Sequence, residues 1–136
     1  MTYNIDFTDI KNAVALVNQK IEKGDCYRIE SGFRALDILK GGWFRGEFSI
    51  VGGRPGMGKT AFALNIATNA AQTTDKAVAV FNLEMSAEML VNRMISSVGQ
   101  IDSYKLQTGQ LQHNDWKRYN EALSQLEDTS IFIDDT

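Results

Sequence analysis

Residues 53–60 read Gly53-Arg54-Pro55-Gly56-Met57-Gly58-Lys59-Thr60 and satisfy G-x-x-x-x-G-K-[ST], the pattern of a loop whose backbone N–H groups cradle phosphate. The pattern constrains the fold because such a loop needs a strand before it and a helix after it. Phe48-Ser49-Ile50-Val51 is a short β-branched and aromatic run that predicts the strand, and Ala61-Phe62-Ala63-Leu64-Asn65-Ile66-Ala67 continues a predicted helix over 59–72. Gly53, Gly56 and Gly58 let the backbone approach a ligand where a Cβ would block it. Pro55, the one proline, restricts the loop before it binds anything. Lys59 is placed to reach β- and γ-phosphate oxygens as a point charge, and the Thr60 hydroxyl to ligate a Mg²⁺ ion bridging them. The candidate binding set is therefore Gly53, Arg54, Pro55, Gly56, Met57, Gly58, Lys59, Thr60 and Ala61, and the implied ligand is a nucleoside triphosphate with Mg²⁺. An ordinary strand-to-helix turn would not require Lys-Thr at the helix start.

A second element lies 24 residues beyond Thr60. Ala77-Val78-Ala79-Val80-Phe81 is a near-continuous apolar run, as expected of a strand buried on both faces of a parallel sheet. Asn82-Leu83-Glu84-Met85-Ser86 follows, so Glu84 falls just past the carboxyl end of that strand, at the edge where α/β proteins bind ligands. Two roles fit Glu84 equally at this level. It is either a carboxylate that orients and deprotonates an attacking water, or an acid favouring the N-terminus of the next helix through its dipole.

The chain resembles the bacterial replicative DNA helicases of the DnaB type, whose motor has a RecA-like core. The likeness rests on Ser31-Gly32-Phe33 with Leu36-Asp37, the 53–60 loop, Leu83-Glu84-Met85-Ser86 and Ile133-Asp134-Asp135-Thr136, and runs from about residue 29 to 136. The resemblance implies an α/β fold, a P-loop NTPase core with a parallel sheet, preceded by an amphipathic linker helix. It implies Glu84 as the catalytic carboxylate alongside Lys59, and Arg93 as a further candidate on the following helix. The resemblance makes the triphosphate ATP, and the implied activity is ATP-dependent DNA unwinding, with assembly into a hexamer, single-stranded DNA as track, a primase or loader as partner, and no membrane.

The family motor is longer than this chain. Ile131-Phe132-Ile133-Asp134 invites reading Asp134 as a magnesium-side aspartate, but similarity aligns it with the preceding strand, leaving Asp134 and Asp135 as a solvated strand-end turn. The acidic magnesium partner, the DNA-contacting loops and the arginine finger would then lie beyond Thr136, and residues 1–136 alone would bind nucleotide weakly and turn it over negligibly. Other RecA-like ATPases of recombinase or clock type are the same-fold alternative, and a non-catalytic nucleotide-binding assembly module is the alternative of another class.

Composition narrows the setting. The chain has 136 residues, 43% hydrophobic and 23% charged, in the range of a globular domain. A net charge of −3 leaves no chain-wide basic footprint for nucleic acid. A single cysteine, Cys26, excludes an internal disulfide, and His113 as the single histidine excludes a His-pair metal site. His113 reads as a solvated loop residue. The absence of an 18-residue apolar run predicts a cytoplasmic rather than membrane setting.

Residues 1–28 read as a linker helix and connector, and 29–136 as the motor portion. Ile10, Val14, Val17 and Ile21 give a narrow apolar stripe on a helix over 8–23 closed by Gly24. It fits either a docking seam for a neighbouring subunit or a face packed on its own domain. Residues 25–30 form the connector, 31–39 enter the core, and Gly41-Gly42-Trp43 makes a turn. A helix over 87–98 follows, with Ser86 as N-cap, Gly99 as C-cap and Met89, Leu90, Met94 and Val98 on its apolar face. Another over 115–127 carries Trp116, Tyr119, Leu123 and Leu126 after an Asn114 cap, and 131–133 is the last strand. Alternating strands and helices imply parallel βαβ units.

Overall fold

The computed structural model describes residues 8–22 and 27–136. Gly24, read as a helix terminator, and the start of the 25–30 connector with Cys26 therefore lie outside the described residues. The chain runs α1 (Ile10–Glu22), β1 (Arg28–Ile29), α2 (Arg34–Lys40), β2 (Trp43–Phe44), α3 (Lys59–Thr73), β3 (Val78–Phe81), α4 (Ala87–Gly99), α5 (Ser103–Thr108), α6 (His113–Glu127) and β4 (Ile131–Asp134).

The expected parallel α/β unit is present. β3 and β4 pair in parallel, Val78 opposite Ile131 and Phe81 opposite Asp134, with α4, α5 and α6 making the crossover between them. Their side chains alternate, and Val80, Ile131 and Ile133 pack onto a core of Leu64, Leu90 and Met94 supplied by α3 and α4. The helices thus cover one face. β3 is not buried on both faces as its apolar run predicts, since Phe81 and Phe132 on the other face are 78% and 65% exposed. An alternating Val/Ala/Val/Phe strand needs a layer on each side to bury throughout, and only one exists among the described residues.

The predicted strand at 48–51 is a second correction. Residues 47–54 form no strand pairing, and Phe48 and Ile50 are 85% and 82% exposed. β-propensity alone makes no strand, because a strand is defined by a neighbour that takes its backbone hydrogen bonds. The segment is tethered instead by its flank, where Trp43 Nε1 donates to Ser49 Oγ at 2.9 Å. The region read as connector and turn contains a small antiparallel pair in which Arg28 faces Phe44 and Ile29 faces Trp43.

This N-terminal part is held to α3 by specific contacts. Asp37 accepts from Ser31 N at 2.8 Å, Ser31 Oγ at 2.7 Å and Gly32 N at 3.2 Å, which closes the Ser31–Asp37 turn around a fully buried Ser31. These bonds, led by the Ser31 amide, hold the Asp37 carboxyl below its usual range. Asn69 Nδ2 donates to Glu30 O at 3.0 Å, and Phe33 stacks on Phe62 with ring centroids 5.0 Å apart.

Helix ends also differ from expectation. Ser86 caps α4, accepting from Met89 N, but Gly99 is helical and Gln100 takes the left-handed cap with φ 49°. Glycine at 99 serves close approach: a Cβ would lie 3.0 Å from Ile101 Cδ1 and 3.3 Å from Ala122 Cβ. Arg118 Nη1 donates to Gln100 O at 3.0 Å, holding that cap. Met89 is half exposed, while Leu90 and Met94 are buried. Helix α5 escapes the periodicity reading because it is only one and a half turns long, although Asp102, whose side chain accepts from Tyr104 N, and Gly109 punctuate it.

Helix α6 begins at His113 rather than 115, with Gln112 as N-cap and Asp115 Oδ2 accepting from Gln112 N at 3.1 Å. His113 is the exposed first helical residue, not a loop residue. Asp115 is buried, bonded to Lys105 Nζ at 2.8 Å and Arg118 Nη2 at 2.6 Å. Ala122 is the buried apolar residue of α6, and Trp116 is half exposed, edge-on to Tyr119. No helix among the described residues is long and apolar enough to cross a membrane.

Candidate functional site

The loop from Gly53 to Gly58 leads into the first turn of α3. Gly58 is its N-cap at φ 87° and Gly56 sits at φ 78°, both left-handed conformations that a side chain would strain by about 1–2 kcal/mol. A Cβ at either position would meet nothing within 4 Å. The requirement for glycine here is therefore backbone conformation and open space above the loop, not packing. Within the loop Met57 N donates to Arg54 O at 3.3 Å, and Phe62 N closes the first helical turn on Gly58 O at 2.9 Å.

Lys59 Nζ folds back to donate to Arg54 O at 3.2 Å, so the ammonium stays over the loop rather than extending into solvent. Residues 53–61 contain two cations, Arg54 and Lys59, and no acidic side chain. With the unpaired N–H groups at the start of α3, that makes the loop positive, which favours an anion.

Lys59 and Thr60 line a cleft of about 460 Å³ between α3 and β3, floored by Leu64 and Leu90 and bounded by Val51, Val80 and Asn82. The cleft runs along β3, and of the unpaired 48–51 segment only Val51 lines it. Among the described residues no group of three His, Cys, Asp or Glu side chains could hold a metal ion. A divalent ion at this loop would therefore depend on the Thr60 hydroxyl and on oxygens of the bound phosphates, and the open, acid-free loop fits that arrangement.

Glu84 lies in the turn between β3 and α4. It is exposed, two residues beyond Asn82, which itself lines the cleft. The turn is braced by Asn82 Nδ2, which donates to Met85 O at 2.6 Å. Glu84 itself does not line the cleft; the two elements read from the sequence are linked through their helices. The loop precedes α3, Glu84 precedes α4, and Leu64 and Leu90 pack these helices together.

Arg93 does not join this cleft. It lines a neighbouring cleft with Asn65, Ser96, Ser97, Ser103 and Gln107, which Ala61 of the candidate binding set and Leu64 also line, crossed by a 2.7 Å bond from Ser97 Oγ to Asn65 Oδ1. Asp134 accepts from Thr136 N at 3.1 Å and from Thr136 Oγ1 at 2.6 Å, so its carboxylate closes a local turn. Those bonds hold its carboxyl below the usual range, led by the Thr136 hydroxyl. Asp135, read with it as solvated, accepts from Ala87 N across the sheet edge. Sequence reasoning missed that contact because nothing local signals a partner 48 residues away.

Comparison with known proteins adds an independent line. Residues 28–136 match the family described as DnaB-like helicase C terminal domain. The chain is 44% identical over 135 residues to the replicative DNA helicase DnaC of Bacillus subtilis, covering 96% of this chain and 30% of that protein. It is 42% identical over 135 residues, with the same coverage, to replicative DNA helicase DnaB of Geobacillus stearothermophilus. Against DnaB of a Nostoc species it is 49% identical over 108 residues, which are 79% of this chain and 12% of that protein. Among solved structures, a DnaB-like replicative helicase, solved in a study of its interactions with primase, superposes with a TM-score of 0.78 at 32% identity, covering 96% of this chain and 32% of that one. A second solved structure, described as an ATPase domain, gives 0.85 at 32% identity, covering 96% and 47%. The chain spans about 30% of the length of the first two relatives.

Proposed function

Because the chain belongs to the DnaB-like helicase C-terminal domain family, we propose that it is the ATP-binding part of a replicative helicase motor that couples ATP hydrolysis to movement along single-stranded DNA. The observation that carries this reading is the cleft bordered by Lys59 and Thr60 at the start of α3, with the Glu84 turn at the same end of β3. The N–H groups of the loop, Pro55 excepted because it has none, and the Lys59 ammonium hold the β- and γ-phosphates, releasing the Lys59 bond to Arg54 O. Thr60 would hold Mg²⁺, which would supply charge neutralisation for the phosphates. Glu84, exposed and free to accept a proton, orients the attacking water. Gly53, Arg54, Pro55, Gly56, Met57, Gly58 and Ala61 complete the binding set. Arg93, in the neighbouring cleft that Ala61 and Leu64 also line, is kept as an accessory residue.

The whole protein is proposed to work as a cytoplasmic hexamer. The exposed stripe of Ile10, Val14, Val17 and Ile21 on α1 docks on a neighbouring subunit, and a primase is the partner class suggested by the solved relative. The catalytic assignment is tested by Glu84→Gln in the complete motor. The amide keeps the shape but cannot take the proton, so ATP binding is retained while turnover falls about 10²–10⁴-fold. A change of less than about threefold would return Glu84 to the helix-dipole role.

A further inference from the structure

The turn that carries Glu84 is anchored at both ends to one place, the end of β4. At its start Asn82 N donates to Asp134 O at 2.9 Å, one step past the last paired residues of β3 and β4. At its end Ala87 N, the first amide of α4, donates to Asp135 Oδ2 at 2.7 Å. The two anchors are consecutive residues. The first N–H groups of a helix have no partner within it, and a carboxylate there also meets the positive end of the helix dipole. Ser86, the local cap of α4, takes Met89 N at 3.4 Å, a longer bond than the one from Asp135.

Packing reaches only the exit side of this turn, where Met85 lies against the Leu64, Leu90 and Met94 core. Leu83 is 90% exposed and Glu84 is exposed as well, so the tip itself is set by hydrogen bonds: the two end anchors and the Asn82 to Met85 brace. We propose that Asp135 is a positioning residue for Glu84, fixing the exit of its turn to the end of β4. The inference rests on the catalytic reading of Glu84 above. A water-orienting carboxylate has to stay within hydrogen-bond reach of that water. Without Asp135 the first amide of α4 loses its acceptor and the exposed tip at 83–84 keeps only the Asn82 bonds and the Met85 packing behind it, and a shift of about 1 Å in such a group costs on the order of 10²-fold in rate. The role needs an acceptor oxygen at this position and not a negative charge, so asparagine replaces aspartate and alanine does not.

The test compares Asp135→Ala, Asp135→Asn and Glu84→Gln in the complete motor containing residues 1–136, with amide hydrogen exchange at residues 83–87 as a second readout. Asp135→Ala is expected to lower kcat about 10- to 100-fold with KM for ATP and the unfolding temperature little changed, and to speed exchange at Ala87 about fivefold, the size of a lost cap bond. Asp135→Asn restores both. A kcat within about threefold of wild type in Asp135→Ala overturns the proposal, as does an Asn variant no better than Ala. Wild-type turnover in Glu84→Gln refutes the catalytic reading instead. The clamp itself then stands or falls on whether Asp135→Ala, and not Asp135→Asn, speeds exchange at Ala87.

Discussion

Leu90→Ala probes the joint between α3, which follows the 53–58 loop, and α4, which follows the Glu84 turn. Leu90 is completely buried and packs with Leu64 and Met94 under Val80 and Ile133, so it ties α4 to α3 and to the sheet. Buried Leu→Ala changes cost about 2.7–5.0 kcal/mol, the spread reflecting how much of the cavity persists. Leu90 also lines the open cleft beside Lys59 and Thr60, where water can enter the vacated space. The lower end applies, about 3 kcal/mol. Against a typical total stability of about 5–15 kcal/mol, that is a large share, and it corresponds to a fall of roughly 10 °C in Tm for a domain of this size. Urea unfolding followed by far-UV dichroism and by the fluorescence of Trp43 and Trp116 measures it. Leu83→Ala, at an exposed position, serves as control and should stay within about 0.5 kcal/mol of wild type. A loss below about 1 kcal/mol for Leu90→Ala would refute the claim that this contact holds the two helices together.

Two further outcomes follow from particular contacts. Lys105, with further bonds from the Gln112 amide and Arg118, lowers the Asp115 carboxyl to about 2. A depressed carboxylate adds stability above its unfolded pKa of about 4, and that stability is lost as pH falls towards 2; Asp115→Asn is expected to be less stable than wild type at pH 7 and to converge with it by about pH 2 in acid-unfolding curves, whereas a constant gap across that window would contradict the assignment. Val14→Asp with Val17→Asp, on a helix with no buried residue, should leave the unfolding midpoint of this chain unchanged while weakening assembly of the complete motor in sedimentation, and unchanged assembly would remove α1 from the subunit interface.

The parts of the fold legible in the sequence were those where one local rule decides. Gly-x-Gly-Lys-Thr forces a turn that ends in a helix, and α3 begins at Lys59 as expected. Ser86 is a helix cap by chemistry alone. The 77–81 and 131–133 runs became β3 and β4 because each found the other. Residues 48–51 have the same composition and no partner, and so they form no strand. Long-range polar contacts were equally invisible. Asp135 carries no local mark of its bond to Ala87, nor Asn69 of its bond to Glu30 O. Gly99 was misread because its signal as a terminator is identical to its signal as a close-approach residue, and only the position of Ala122 separates the two. For the candidate site, residue types and spacing nominated Lys59 and Thr60, and Glu84 only with the resemblance, whereas the shape of the cleft and the placing of Arg93 in the neighbouring one required coordinates.

The most direct test of a phosphate-binding loop at Gly53–Thr60 is a titration of this chain with a fluorescent ATP analogue in Mg²⁺, comparing wild type with Lys59→Ala. Lys59 donates to Arg54 O within the loop and is not part of the buried core, so its removal leaves the core intact. A hydrogen bond to a charged group contributes about 1.5–3 kcal/mol, which is roughly 10- to 100-fold in affinity. Saturable binding by wild type, weakened by at least about tenfold in Lys59→Ala with an unchanged dichroism spectrum, is the predicted result. Equal affinity in the two proteins, or no binding by wild type at millimolar analogue, would contradict it.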